Sequence, residues 1–143
     1  MQIICEPDID NLIRTKGSIY AACAVLLKSV GLQFTDLERI IIAGGFGHYI
    51  DVEKAMAIGL LPEVPPDIVT YGGNTSLTGC KLAALFRDKM EEVQAVATMI
   101  TNIELSASHI FMDEYVAALF LPHTRMEEFP LQRERLKTVG AIH

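Results

Sequence analysis

Apolar residues recur at three- and four-residue steps through Ile9, Leu12, Ile13, Ile19, Tyr20, Cys23, Leu26, Leu27 and Val30, the spacing of one helix face. Pro7-Asp8 supplies a start signal and Gly31 a stop, so the spacing predicts a long helix. Ile3 and Ile4 ahead of it make a brief strand-like run. The period then changes. A turn over residues 34–39 leads into Ile40-Ile41-Ile42-Ala43, a β-branched run that predicts a strand ending on Gly44, Gly45 and Gly47. Asp51 is placed to cap a shorter helix over residues 52–58, closed by Gly59 and Pro62.

The same order returns further on. Residues 68–71 read as a second strand ending in Gly72-Gly73, and Asn74 is placed to cap a helix from Thr75 to about Lys89. Met90, Val93, Val96, Ala97 and Ile100 keep helical spacing, with Glu91, Glu92 and Gln94 pointing out. Residues 103–105 suggest an edge strand, Phe111, Tyr115, Ala118 and Leu119 form another apolar stripe, and Pro122 stops it. The charged segment from Thr124 reads as a surface-hugging or partly disordered extension, giving a domain over 1–123 and a tail over 124–143. Strands that end in glycine turns and feed helices argue for an α/β layer structure of short buried strands, and such sheets bind nucleotides at the carboxyl ends of their strands.

Composition narrows the partners. With 143 residues the chain fits one domain that hides roughly 68–70% of the surface its unfolded form exposes. Half the residues are hydrophobic and mean hydropathy is +0.30, yet no run approaches the roughly 18 uninterrupted apolar residues of a membrane span. Net charge is -6 and the 12 Lys and Arg are scattered, so no nucleic-acid footprint is present. Cys5, Cys23 and Cys80 form no C-x-x-C pair and read as free thiols of a reducing cytoplasm. The start of the chain lacks signal-peptide character, so Asn74-Thr75-Ser76 counts as structure and not as a glycosylation site. His48, His109, His123 and His143 share no metal-ligand spacing and read as surface or supporting residues, and Glu91, Glu92, Glu127 and Glu128 as solvated faces.

Two familiar phosphate signatures fail. Gly45-Phe46-Gly47-His48-Tyr49-Ile50 has Ile where the dinucleotide fingerprint needs its third glycine. Five residues separate Gly73 from Gly79 where a P-loop has four, and Cys80-Lys81-Leu82 follows in place of the Lys-Ser/Thr end. A glycine turn free of Cβ atoms still lets a ligand reach the backbone N–H groups of Gly44, Gly45, Phe46 and Gly47, although a plain strand-to-helix turn explains the same glycines.

Four stretches taken together carry a resemblance: 12–19 (LIRTKGSI), 40–47 (IIIAGGFG), 58–62 (IGLLP) and 73–80 (GNTSLTGC). The chain resembles the C-terminal ATPase domain of reductive activators of corrinoid enzymes, within the superfamily of sugar kinases, actin and heat-shock chaperones. The resemblance implies a ribonuclease H-like second lobe with a short central sheet flanked by several helices. It implies an ATP-driven transfer of one electron from an iron–sulfur cluster to cob(II)alamin on a corrinoid protein. It places Gly44, Gly45, Phe46 and Gly47 against the adenosine, with Lys16 and Ser18 on the flanking helix, where Lys16 beside Arg14 otherwise reads as a solvated lysine, and Gly17 and Ser18 either face the base or merely allow close helix packing. Gly79 and Cys80 match the small residues by which the connecting helices of two lobes touch.

The phosphate loops, the magnesium site and the [2Fe-2S] cysteines of that family are not in these residues, so the chain is expected to be one lobe of a longer protein, without catalytic or metal-ligating residues of its own. ATP should then bind it weakly or not at all, because each retained neutral hydrogen bond returns only about 0.5–1.5 kcal/mol against roughly 4–15 kcal/mol of lost translational and rotational freedom. An uncovered inter-lobe face predicts a homodimer or a large exposed patch. Activation of a dehydratase, a hydantoinase-type hydrolysis, or a noncatalytic docking or dimerisation role stays open.

Overall fold

A computed structural model of the chain describes residues 3–45, 47–105 and 108–140. The chain divides into two compact units, one of residues 1–38, 51–66 and 104–143 and one of residues 39–50 and 67–103.

The first unit is helical. Its main element is α1, Glu6–Ser29, whose first turn is closed by the Asp8 carboxylate accepting the Cys5 N–H at 2.9 Å. Ile3 and Ile4, expected as strand, are extended and exposed among the described residues, since no neighbouring strand offers them a ladder. Asp51 caps α2, Val52–Ala57, by accepting the Lys54 N–H at 3.1 Å. The apolar stripe expected after residue 108 is α5, His109–Ala117, and it packs along α1. Residues 103–105 form no strand.

The segment after Thr124 corrects the expected surface extension. It makes a short 3-10 turn, Met126–Glu128, and then α6, Pro130–Thr138. Phe129 between them is 0% exposed and joins Tyr20, Ala24 and Ala118 in the core of this unit, with Phe34 and Met126 packed against it. Burying that ring alone contributes about 2–3 kcal/mol, more than a loose extension could forgo. Glu63 adds the local fixing, for its carboxylate accepts the N–H groups of Leu131 at 2.6 Å and Gln132 at 3.1 Å at the start of α6.

The second unit holds the sheet. Strands β1, Ile40–Ala43, and β2, Val69–Gly73, pair in parallel with Ile40 opposite Val69 and Ala43 opposite Gly73. A bulge between Ile42 and Ala43 absorbs one residue. Helices α3, Thr75–Leu85, and α4, Arg87–Met99, follow, so the single helix expected to about Lys89 breaks at Phe86, whose backbone is extended at φ −127° and ψ 120°. The strands are not the buried pair expected from their β-branched composition: Val69 is buried, but Ile41 is 59% exposed. Two strands present too little surface for a closed core, and neither α3 nor α4 contains a buried residue.

Among the described residues no helix is long and apolar enough to cross a membrane.

Gly59 marks the tightest point of the helical unit. It has φ +73°, and a Cβ on it would lie 2.1 Å from the Pro122 carbonyl oxygen. Gly59→Ala is therefore expected to destabilise this unit by about 2–4 kcal/mol, from left-handed strain plus a clash against backbone, measured as a fall in the urea midpoint at constant slope.

Candidate functional site

The carboxyl ends of the two parallel strands bring the sequence-expected glycines to one edge. The Gly44 N–H donates to the Gly73 carbonyl at 2.8 Å, which extends the pairing one rung beyond the strands and fixes the two turns side by side. Gly44 has φ +98°, a conformation that L side chains rarely adopt. A Cβ built on Gly44, Gly45 or Gly73 would meet nothing within 4 Å, so the rim there is bare backbone facing open space. Helix α3 starts directly after this rim, with the Asn74 side chain accepting the Leu77 N–H at 3.0 Å, the capping role expected of it. The Gly44 N–H, expected to be open to a ligand, is thereby committed to the sheet, and what the rim offers is open space against bare backbone beside a helix N-terminus.

Gly47 differs from its neighbours. It is buried, and a Cβ on it would lie 2.7 Å from the Ile42 Cγ2, so packing accounts for this glycine. Phe46 lies outside the described residues. His48 is exposed and sets its ring edge-on to Tyr49 with centroids 5.6 Å apart. Tyr71 of β2 donates its hydroxyl to the Ile50 carbonyl and ties the end of the glycine turn to the sheet. Gly79, expected at a helix contact, is exposed on α3, with nothing within 4 Å of where a Cβ would stand.

Lys16 and Ser18 belong to α1 in the helical unit. Lys16 is 0% exposed, which overturns the reading of a solvated lysine beside Arg14. Its ammonium donates to the Pro122 carbonyl at 2.6 Å and to the Phe120 carbonyl, just past the end of α5. Burial pulls its pKa from the ordinary 10.5 to about 8. Ser18 is exposed and donates its hydroxyl to the Arg14 carbonyl at 2.8 Å, four residues back on the same helix. Gly17 between them faces the Ala118 carbonyl, 3.3 Å from where a Cβ would stand, and so allows the close approach of α1 to α5.

A cluster that periodicity did not reveal surrounds Glu114 of α5, which is buried although it is charged. Lys28 donates to its Oε1 at 2.6 Å and Arg125 to its Oε2. Burial works to raise the Glu114 carboxyl, but the hydrogen bonds from Arg125 and Lys28 outweigh it and hold the pKa below the usual carboxylate value. Arg125 Nε lies 2.8 Å from Glu128 Oε1, an ion contact with poor hydrogen-bond alignment, and Tyr20 donates its hydroxyl to Glu128 Oε2 at 2.6 Å. Glu128 is accordingly no solvated tail residue. His123 is buried as well, a supporting and not a surface residue of the two alternatives expected, with its Nδ1 accepting the Arg125 N–H at 3.0 Å and its Nε2 without a partner among the described residues. The available signal was Glu114 itself, a carboxylate on the apolar stripe of Phe111, Tyr115 and Ala118. Among the described residues no group of three or more His, Cys, Asp or Glu is arranged to hold a metal ion.

A family model described as the C-terminal domain of RACo, the ASKHA domain, matches residues 2–133. The chain belongs to this family. The family's α/β fold is the one observed, with its short parallel sheet and attendant helices. A corrinoid activation enzyme, RamQ, of Eubacterium limosum is 37% identical over 114 residues, 80% of this chain and 19% of that protein. A [Co(II) methylated amine-specific corrinoid protein] reductase of Methanosarcina barkeri is 30% identical over 118 residues, 81% of this chain and 22% of that protein. A solved reductive activator for a corrinoid, iron-sulfur protein superposes with a TM-score of 0.83 at 45% identity, covering 89% of this chain and 20% of that one. The chain spans about a fifth of the length of the curated relatives it matches.

Lys16 gives a pH test. Its folded pKa of about 8 lies below the ordinary 10.5, so between these values the unfolded chain holds the proton that the folded chain has lost, and stability from this group rises with pH. The stability difference between wild type and Lys16→Met is expected to move in favour of wild type by on the order of 3 kcal/mol from pH 8 to 10.5, read from urea unfolding at each pH. A flat difference would contradict the buried ammonium.

Proposed function

We propose that this chain is the adenosine-side lobe of an ATP-dependent reductive activator. The longer protein would return the cob(II)alamin of a corrinoid protein to cob(I)alamin with an electron from an iron–sulfur domain outside these residues. The main support is the likeness to the reductive activator for a corrinoid, iron-sulfur protein, at 45% identity across 89% of this chain. The bare rim at Gly44, Gly45 and Gly73 supplies the chemical half of the case. A purine nucleoside can rest against backbone there without displacing a side chain, and a Cβ would fill the space it needs. ATP supplies the energy for the uphill electron step when bound. This chain's share is to receive the nucleoside at Gly44 and Gly45, with Phe46 and Gly47 as contacts by family resemblance alone, while phosphates and magnesium fall to the companion lobe. Lys16 and Ser18 remain nucleoside contacts only by family resemblance.

The exposed apolar side chains of α3 and α4 and of the residues that bound them, among them Leu85, Phe86, Met99 and Ile100, support a companion surface, either that missing lobe or a second copy. Light scattering on the 143-residue chain separates the two, since only the second copy raises its mass in isolation.

The direct test replaces the matching segment of the Eubacterium limosum enzyme with this chain. ATP hydrolysis and the visible spectrum of cob(I)alamin on a corrinoid protein are then followed. The graft is expected to be active and its Gly45→Val variant to lose hydrolysis while keeping its helical circular dichroism. Gly45 is the informative position because its φ is ordinary, whereas a side chain at Gly44 adds left-handed strain of about 1–2 kcal/mol. Undiminished hydrolysis in Gly45→Val would overturn the assignment.

A further inference from the structure

The helical unit holds a cavity of about 530 Å3, within the size range of small-ligand sites. It lies along the C-terminal half of α1 and has an apolar side that includes Leu27, Leu32 and Phe34. The rest of its wall is strongly acidic: Glu63, Glu114, Glu127 and Glu128 all line it, with Lys28 as the one lining cation among the described residues.

Three of these carboxylates are committed. Glu63 accepts both amides at the start of α6, Glu114 takes Lys28 and Arg125, and Glu128 takes Tyr20 and the flank of Arg125. Glu127 is exposed and, among the described residues, makes neither a side-chain hydrogen bond nor an ion pair. Four carboxylates against Lys28 and Arg125 leave two negative charges over. A carboxylate offers about four acceptor positions, so acceptor capacity is also left over, whereas an anion entering the cavity would meet like charge.

We propose that this cavity binds a cationic head on an apolar stem, an alkylammonium or alkylguanidinium. The stem lies on Leu27, Leu32 and Phe34, and the head takes the spare capacity at Glu127. The same chemistry belongs to a free amine and to the lysine or arginine side chain of a partner protein, whose stems cover apolar surface while the charged end stays at a polar rim.

The 15N-labelled 143-residue chain is titrated separately with n-butylamine, with N-acetyl-lysine amide and with neutral n-pentanol. Both cations are expected to shift the amides of Leu32, Phe34 and Thr35 saturably, and n-pentanol is not. Tighter binding of the blocked lysine assigns the site to a protein side chain, and tighter binding of butylamine to a free amine. Glu127→Lys is expected to weaken both by about fivefold or more, the upper end for an exposed ion pair, with its circular dichroism unchanged. Wild-type binding should also fall when salt is raised to about 1 M, where the Debye length is only about 3 Å, which provides a second readout without a variant. Absence of saturable shifts with either cation, equal binding of n-pentanol, affinity untouched by Glu127→Lys, or affinity indifferent to salt would each overturn the proposal.

Discussion

The helical unit turns on the ammonium of Lys16. After α5 the chain turns through Phe120 to Pro122, where Pro122 is buried while Phe120 is exposed, and backbone carbonyls in such a turn need donors from outside the helix. Lys16 reaches from α1 to those carbonyls and donates to both. Gly17 beside it lets α1 approach the Ala118 carbonyl, and Gly59 from a third stretch of sequence makes room for the Pro122 carbonyl. Three distant segments therefore converge on the same few backbone oxygens. The cost is a charge buried without a carboxylate partner among the described residues, and the lowered pKa records it.

Around this anchor the electrostatics are mostly self-contained. Glu114 is tolerable inside because both of its oxygens are matched by cations, one from α1 and one from the segment before α6. Tyr20 then joins that ion cluster to the aromatic core through Glu128, while its ring packs 5.7 Å from Phe129. The polar cluster and the apolar core thus share a residue, so each constrains the placement of the other.

Much of this architecture was legible in the residues. Helical spacing from Ile9 to Val30, the isoleucine run before Gly44, and the caps Asp51 and Asn74 each rest on local chemistry, and each stands where it was expected. The misses share a different cause. Ile3-Ile4 and residues 103–105 have strand-like composition, but a strand exists only where a partner pairs with it. Phe129 and Lys16 are decided by long-range packing: a charged, proline-interrupted segment conceals one core ring, and a lysine beside an arginine looks solvated until α5 closes over it. At the glycine rim the isoleucine run located the bend, but only geometry separates the open positions Gly44 and Gly45 from Gly47, which Ile42 fills.

The two-stranded sheet has an energetic corollary. A parallel pair with one buried residue, followed by helices that bury none, cannot by itself offset much of the conformational entropy lost in ordering it. Whatever seats itself on this unit lends it folding free energy by mass action, so occupancy and rigidity rise together. Recognition at the rim is then inseparable from annealing of the scaffold that displays it.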